Sequence, residues 1–426
     1  MKISFIIPSR NNLKYFKWAY NSIRKNQGEH EIWICAADDA STDGTAEYFK
    51  ELSKTDKQFK FIVNEGPTRI GHTILYDRIV NELVETDVAI IWHADMYLCP
   101  GALDEVELGL YGTPEDPKVE SSIVSLTRIE PPLHPPGPEK LIRDFGTEPE
   151  QFNEDDLLSY VSEMRDIAVK NNKTYTSGIF APWAFWVEDF KEVNGHDPLY
   201  APQSKEDSDI FNKFFINGTE MIQTWKGFVY HMTCRGSRFN PTITKVGQNS
   251  TEWNAQNVRS SRNFIRKWGH FVKHDLQLLP IVPNKYDIGI ILENATPNTI
   301  DAMEIWCNTL YCTTKSESSK IVDEYIAREQ PNTLYDLNKR VKFIASSDVD
   351  MHYTNNCDCN HDIVVKIDGS LMSPDYANVI TNLSEILQQS GQIGEMEFNM
   401  MRLKIDALTD YKFDLLKEQN NNSDIR

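Results

Sequence analysis

The first hundred residues alternate strand-length apolar runs with stretches of helical spacing, and this alternation restricts the fold more than any other feature. Residues 3–7, 31–36, 59–63 and 88–92 are apolar runs of strand length, short enough for buried strands. Between them, Leu13, Phe16, Tyr20 and Ile23 recur at helical spacing behind Asn11 and Asn12, which can cap a helix. A second helix is expected over residues 46–52, and Leu75, Ile79 and Leu83 mark a third. Strands joined through helices by short connections form a mostly parallel sheet covered on both faces. Such sheets bind ligands at the carboxyl ends of their strands. Pro8-Ser9, Asp38-Asp39 and His93-Ala94-Asp95 each follow a strand directly, so they are expected to converge.

A chain of 426 residues suggests two or three domains. Two prolines in Leu279-Pro280-Ile281-Val282-Pro283-Asn284 suit a linker. The expected division is therefore a first domain over 1–278 and a smaller α/β domain over 285–426. The second begins with a strand over 287–292 and a helix near 300–310. Its later segment 362–374 repeats the layout of 87–100, a strand, an acidic turn and a proline-started helix. A degenerate internal repeat is one reading and a chance match the other. Residues 130–150, rich in proline and charge, are expected as a surface loop, and 418–426 as a frayed end.

With 44 basic and 63 acidic side chains the net charge is −19. This argues against a broad nucleic-acid or anionic-membrane surface, while a nucleic-acid acceptor at one local site stays open. No apolar run approaches the ~18 residues of a membrane span, and the first residues lack a signal-peptide cleavage pattern. The seven cysteines are odd in number and scattered, which fits a reduced, cytoplasmic compartment. Cys357-Asp358-Cys359 is too tight and isolated for a four-ligand zinc site.

The run Asp38-Asp39-Ala40-Ser41-Thr42-Asp43-Gly44-Thr45 presents two carboxylates at a strand end, then helix-capping residues; taken alone, ordinary capping explains it equally well. Glu206-Asp207-Ser208-Asp209 opens a helix bearing Ile210, Phe211, Phe214 and Phe215. Acidic residues favour helix N-termini in any case. His231 closes a strand-like run, where a lone histidine is more often structural than a ligand. Residues 259–273 carry Arg259, Arg262, Arg266, Lys267 and Lys273 among Phe264, Trp268 and Phe271. At this spacing the aromatics belong in a core more often than on a binding face.

The order of these motifs is more specific than any one of them. Phe5-Ile6-Ile7-Pro8-Ser9-Arg10-Asn11, the Asp38-Asp39 run, Ala94-Asp95 after a strand, Val193-Asn194-Gly195-His196-Asp197 and Glu206-Asp207 follow one another along the chain. Over roughly residues 1–235 this resembles the family 2 glycosyltransferases of the GT-A fold. The resemblance implies a Rossmann-like nucleotide-sugar-binding domain with a mostly parallel central sheet, beside the smaller C-terminal α/β domain. It puts Pro8, Ser9, Arg10, Asp38, Asp39 and Arg69 at the nucleotide, with Asp39 facing the base. Asp95 matches the last residue of the family's Asp-x-Asp metal motif, and His231 resembles a third metal ligand. The motif's first Asp is replaced by His93, which is open to metal, ribose or packing. Arg235, in the basic loop that continues to Arg238, is expected at the donor phosphates. Asp207, with Glu206 beside it, matches the general base.

The activity so implied is an inverting transfer, dependent on Mn²⁺ or Mg²⁺, from a nucleoside-diphosphate sugar, UDP-linked by expectation, to a hydroxyl of a glycan or other acceptor. The absence of a Gln-x-x-Arg-Trp sequence favours single addition over processive synthesis. A nucleotidyltransferase on the same fold would need a glycine-rich phosphate loop, and residues 8–12 contain no glycine. A non-catalytic glycan- or nucleotide-binding module is the other alternative, motivated by His93.

Overall fold

The apolar runs become the strands of a sheet, and all but the edge run 59–63 are buried on both faces. In the computed structural model, which describes residues 1–118, 121–235, 249–354, 360–398 and 401–416, strand β1 (Lys2–Ser9) pairs in parallel with β2 (Glu31–Asp39) and β4 (Val88–Ile91). Strand β2 pairs in parallel with β3 (Phe59–Asn64). The intervening helices are α1 (Leu13–Lys25), α2 (Thr45–Thr55) and α3 (His72–Glu82). Ile3, Phe5 and Ile7 share one core cluster with Phe16 and Ile23 of α1 and Phe49 of α2, and β4 contributes a fully buried Val88-Ala89-Ile90-Ile91. Fully burying one such side chain contributes about 1.5–3 kcal/mol, so the apolar continuity of these strands dictates a two-faced sheet.

The sheet continues through β5 (Met96–Leu98), β6 (Ser122–Glu130), β7 (Lys140–Ile142), β8 (Tyr175–Ser177), β9 (Trp183–Trp186) and β10 (Glu220–His231). Its order is β3-β2-β1-β4-β9-β6-β10-β5, with β7 on β6 and β8 on β10. Helices α4 (Ala102–Tyr111), α5 (Glu154–Lys170), α6 (Val187–Glu192) and α7 (Glu206–Ile216) lie between these strands in the chain. Part of the proline-rich stretch expected as a loop is strand β7, which pairs in parallel with β6 and brings Lys140 within 2.8 Å of the buried Glu130.

A second sheet holds β11 (Ile288–Glu293), β12 (Thr309–Cys312), β13 (Val341–Phe343), β14 (Ile363–Asp368), β15 (Gly394–Phe398) and β16 (Met401–Ile405), in the order β13-β12-β11-β14-β16-β15. The first four are mutually parallel and β16 is antiparallel to β14. The first sheet has the same arrangement, with antiparallel β9 following β4.

By internal contacts the chain divides into residues Met1–Gln256 with His274–Ile281, and Asn257–Lys273 with Val282–Arg426. The sequence boundary between 278 and 285 therefore assigns 257–273 differently. The reason lies in helix α8 (Thr251–Trp268), whose Ile265 joins the second unit's core with Ile290, Ile300 and Leu310. Arg262 and Arg266 on this helix are consumed by Glu304 and Glu329, and Phe264 and Trp268 are buried. The basic, aromatic stretch is thus largely interior and offers little face to a polyanion. No helix among the described residues is long and apolar enough to cross a membrane. Cys35, Cys99, Cys234, Cys307 and Cys312 are free thiols; Cys357, Cys359, Arg238 and the end segment 418–426 lie outside the described residues.

Candidate active site at the strand ends

The parallel register sets Ser9, at the end of β1, beside Asp38, at the end of β2. Both are buried, and the Ser9 hydroxyl oxygen and Asp38 Oδ1 have no hydrogen-bond partner among the described residues. Leaving such an atom unpaired costs about 1–3 kcal/mol, so these adjacent groups suit a polar ligand. Burial pushes the Asp38 carboxyl above its ordinary value, and the nearby Asp43 and Asp39 charges add to this.

Asp39 is used differently. Its Oδ1 accepts from the Ile70 amide at 2.9 Å and the Asn64 side chain at 2.8 Å, and its Oδ2 from the Gly71 amide at 2.9 Å. The carboxylate expected to face a base thus also fixes the loop before α3. Arg10 donates to the Asp39 carbonyl at 2.8 Å. Arg69, in the same loop, is half-buried, and burial together with the Arg10 charge lowers its basicity. The rest of the acidic run does perform capping: Asp43 accepts from the Leu13 amide at 2.9 Å and the Thr45 amide at 3.2 Å. Asn11 and Ser41 tie the two loops together. Pro8 is the penultimate residue of β1 and is partly exposed.

His93, Asp95 and His231 come together. One ligand atom from each lies within 4.8 Å of the others, although His231 is 136 positions beyond Asp95 in the chain. His231 is delivered by β10, which pairs antiparallel with β5 immediately after Asp95. Its Nε2 is 3.3 Å from Asp95 Oδ1, and its Nδ1 is 2.7 Å from Glu130 Oε1 at the end of β6. Glu130 is itself held by Arg128 at 3.2 Å and Lys140 at 2.8 Å. A carboxylate on one imidazole nitrogen orients the other toward a cation, a recurrent arrangement behind metal-ligating histidines. Burial would lower His231, but Asp95 and Glu130 raise it to about 9. Burial and the His231 charge lower His93 to about 3. Two imidazoles and one carboxylate fit a divalent transition metal such as Mn²⁺ better than Mg²⁺, which prefers oxygen throughout.

The acidic pair opens α7. Glu206 is buried and bonds His72 Nε2 through Oε1 at 2.6 Å, while its Oε2 has no partner among the described residues. Burial pushes Glu206 up, and the charge and hydrogen bond of His72 outweigh this and hold it below its ordinary value. Asp207 is half-buried; burial, then the Glu206 charge, raises it to about 6. A carboxyl titrating there is ionised at neutral pH and basic enough to take a proton from a hydroxyl.

Arg235 contacts the Thr147 carbonyl, pairs with Glu148 at 3.1 Å and lies over the Tyr15 ring. Its guanidinium is thus engaged by protein groups. The sequence did not flag His72, Glu130 or Arg128, and flagged His196 only as part of the 193–197 turn. His72 stands three residues after Arg69, but nothing in that spacing signals a partner 134 positions away. The Asp77 carboxylate on α3 faces the His196 amide and ring, fixing the Asn194-Gly195-His196 turn.

Residues 4–106 match the family model described as glycosyl transferase family 2. No curated protein matches the chain. Among solved structures, the mannosyltransferase PcManGT from Pyrobaculum calidifontis in complex with GDP-Man and Mn²⁺ is similar at 15% identity and TM-score 0.39, covering 62% of this chain and 63% of its own. S. aureus TarS 1–349 in complex with UDP-GlcNAc is similar at 15% identity and TM-score 0.38, covering 62% and 67%. GalNAc-T7 with UDP, GalNAc and Mn²⁺ gives 14% identity and TM-score 0.42, covering 62% and 48%. The chain thus spans less than two thirds of PcManGT and about half of GalNAc-T7. The segment that matches the glycosyl transferase family 2 model contains the Ser9, Asp38-Asp39 and His93–Asp95 strand ends.

Proposed function

We propose that the protein is an inverting glycosyltransferase that moves a sugar from a UDP-linked donor to an acceptor hydroxyl, with a divalent metal, Mn²⁺ by preference, at His93, Asp95 and His231. The observation that supports this is the His-Asp-His donor set after β4, in a unit whose residues 4–106 match this family's model and whose helix α7 opens with an acidic pair, Asp207 being pushed up to about 6. Ser9 and Asp38 would receive the nucleotide through their unpaired buried atoms. Asp39 and Arg10 would hold the loop that carries Arg69 toward it. When bound, the metal supplies charge neutralisation for the departing diphosphate. Asp207 would take the proton of the attacking hydroxyl, and attack from the face opposite the leaving group inverts the anomeric centre.

The test is a mass-spectrometric screen of nucleotide sugars with the full chain and Mn²⁺, followed by an acceptor array. Turnover of a UDP-sugar is expected, with loss of at least about 100-fold in Asp95→Ala and Asp207→Ala. Full activity in Asp207→Asn would remove the base assignment. Binding of UDP and Mn²⁺ by calorimetry without turnover of any donor would leave only a binding module.

A further inference from the structure

We infer that His72 is a positioning residue for Asp207: it holds the carboxylate of Glu206, and through it the charge and placement of the base, and it ties both to the loop anchored by Asp39. The inference rests on the reading of Asp207 as the general base.

The geometry begins at the helix start. Lys205 is the residue before α7, with φ +71, and its side chain makes no capping hydrogen bond. What anchors the first residue, Glu206, is the 2.6 Å bond to His72 from α3. His72 in turn is fixed by what precedes it. Asp39 accepts from the Ile70 and Gly71 amides, and Thr73 donates to the Pro202 carbonyl at 3.3 Å. Gly71 lies so close to Pro202 that a Cβ there would fall 2.2 Å from the carbonyl oxygen. The loop before α3, held by Asp39 at the end of β2, and the segment leading into α7 are therefore packed backbone to backbone, with His72 and Thr73 as polar links.

The charges around Asp207 make the link consequential. Glu206 is its neighbour on α7, His196 faces it from the preceding turn, His72 from α3 and Arg128 from β6. Tyr76, also on α3, feels both acidic side chains. Of these groups Glu206 disfavours the ionised base, and His72 offsets Glu206 directly. Without the imidazole, two neighbouring carboxylates would compete for one proton, and their upper titration step would move to higher pH.

The test is a ¹³C-carboxyl NMR titration of the full-length protein in wild type, His72→Gln, Glu206→Gln and the double variant, with Asp207→Asn to assign the signal. Glutamine can still donate to Glu206 but carries no charge. The upper step of the Glu206/Asp207 pair is expected to rise by at least half a pH unit in His72→Gln. It should fall in Glu206→Gln, and His72→Gln should shift it far less in that background. An unchanged step in His72→Gln overturns the inference, as does an equal shift with and without Glu206. If the NMR shifts occur but Asp207→Asn transfers sugar at the wild-type rate, the base reading fails and the electrostatic link stands. If Asp207→Asn is inactive and His72→Gln does not move the titration, the link fails alone.

Discussion

Gly71 shows how much one residue can fix. It has φ +89, in the left-handed region that favours glycine, and its missing Cβ is the space occupied by the Pro202 backbone. Neither strain can relax through a side chain. Gly71→Ala is therefore expected to cost at least about 2 kcal/mol, read as a lower urea midpoint, and to disturb α7 along with it. Asp207 makes the opposite kind of prediction. Because its carboxyl titrates at about 6, turnover should fall about tenfold per pH unit below that value. Its raised folded value also means that the unfolded chain loses this proton first. Stability therefore declines as pH rises from about 4 to about 6. Asp207→Asn should abolish transfer yet melt a few degrees higher at pH 7.5, measured by calorimetry. The residue types of this site were legible in the sequence, since Ser9, Asp38, Asp95 and Asp207 stand in recognisable motifs. Their partners were not: Glu130 behind His231 and His72 behind Glu206 come from distant segments whose local sequence carries no mark of the pairing.

At the scale of elements, α8 illustrates a pattern with two readings. Its apolar spacing announced buried aromatics, and Phe264 and Trp268 are buried. Its arginines form part of a local basic stretch in the sequence, yet Arg266 is fully buried against Glu304 and Glu329. Glu304 also receives Arg340 at 3.1 Å and the Tyr325 hydroxyl at 2.9 Å. Burial would push Glu304 up, but Arg266 and Arg340 hold it at about 2. Its depressed folded value contributes stability that is present above about 4.3, the ordinary glutamate value, and is lost as pH falls from there toward about 2. Removing one partner of a buried ion network leaves uncompensated charge. Glu304→Gln should cost about 3 kcal/mol at pH 7 in urea unfolding, with a smaller penalty at pH 3. Periodicity tells which face is buried. It cannot tell that a buried face will contain charge, because the compensating groups arrive from other elements.

For the whole molecule, the net charge is −19, and two arginines of the one basic stretch, Arg262 and Arg266, are taken up by Glu304 and Glu329. The protein should pass through a heparin column at about 150 mM salt without retention, a result that binding above that salt would contradict. The two sheets share the strand order 3-2-1-4 with an antiparallel strand next. The sequence by itself determined the strand–helix alternation, the strand ends that carry polar residues, and the sign of the overall charge. These depend on neighbours along the chain, through hydrophobic spacing and capping. Only the tertiary structure decided that His231 reaches Asp95, that Asp39 also serves the loop before α3, and that His72 bonds Glu206, the neighbour of Asp207. Those outcomes depend on sheet order and close backbone packing, which bring together groups from about thirty to more than a hundred positions apart and set their charges by mutual proximity.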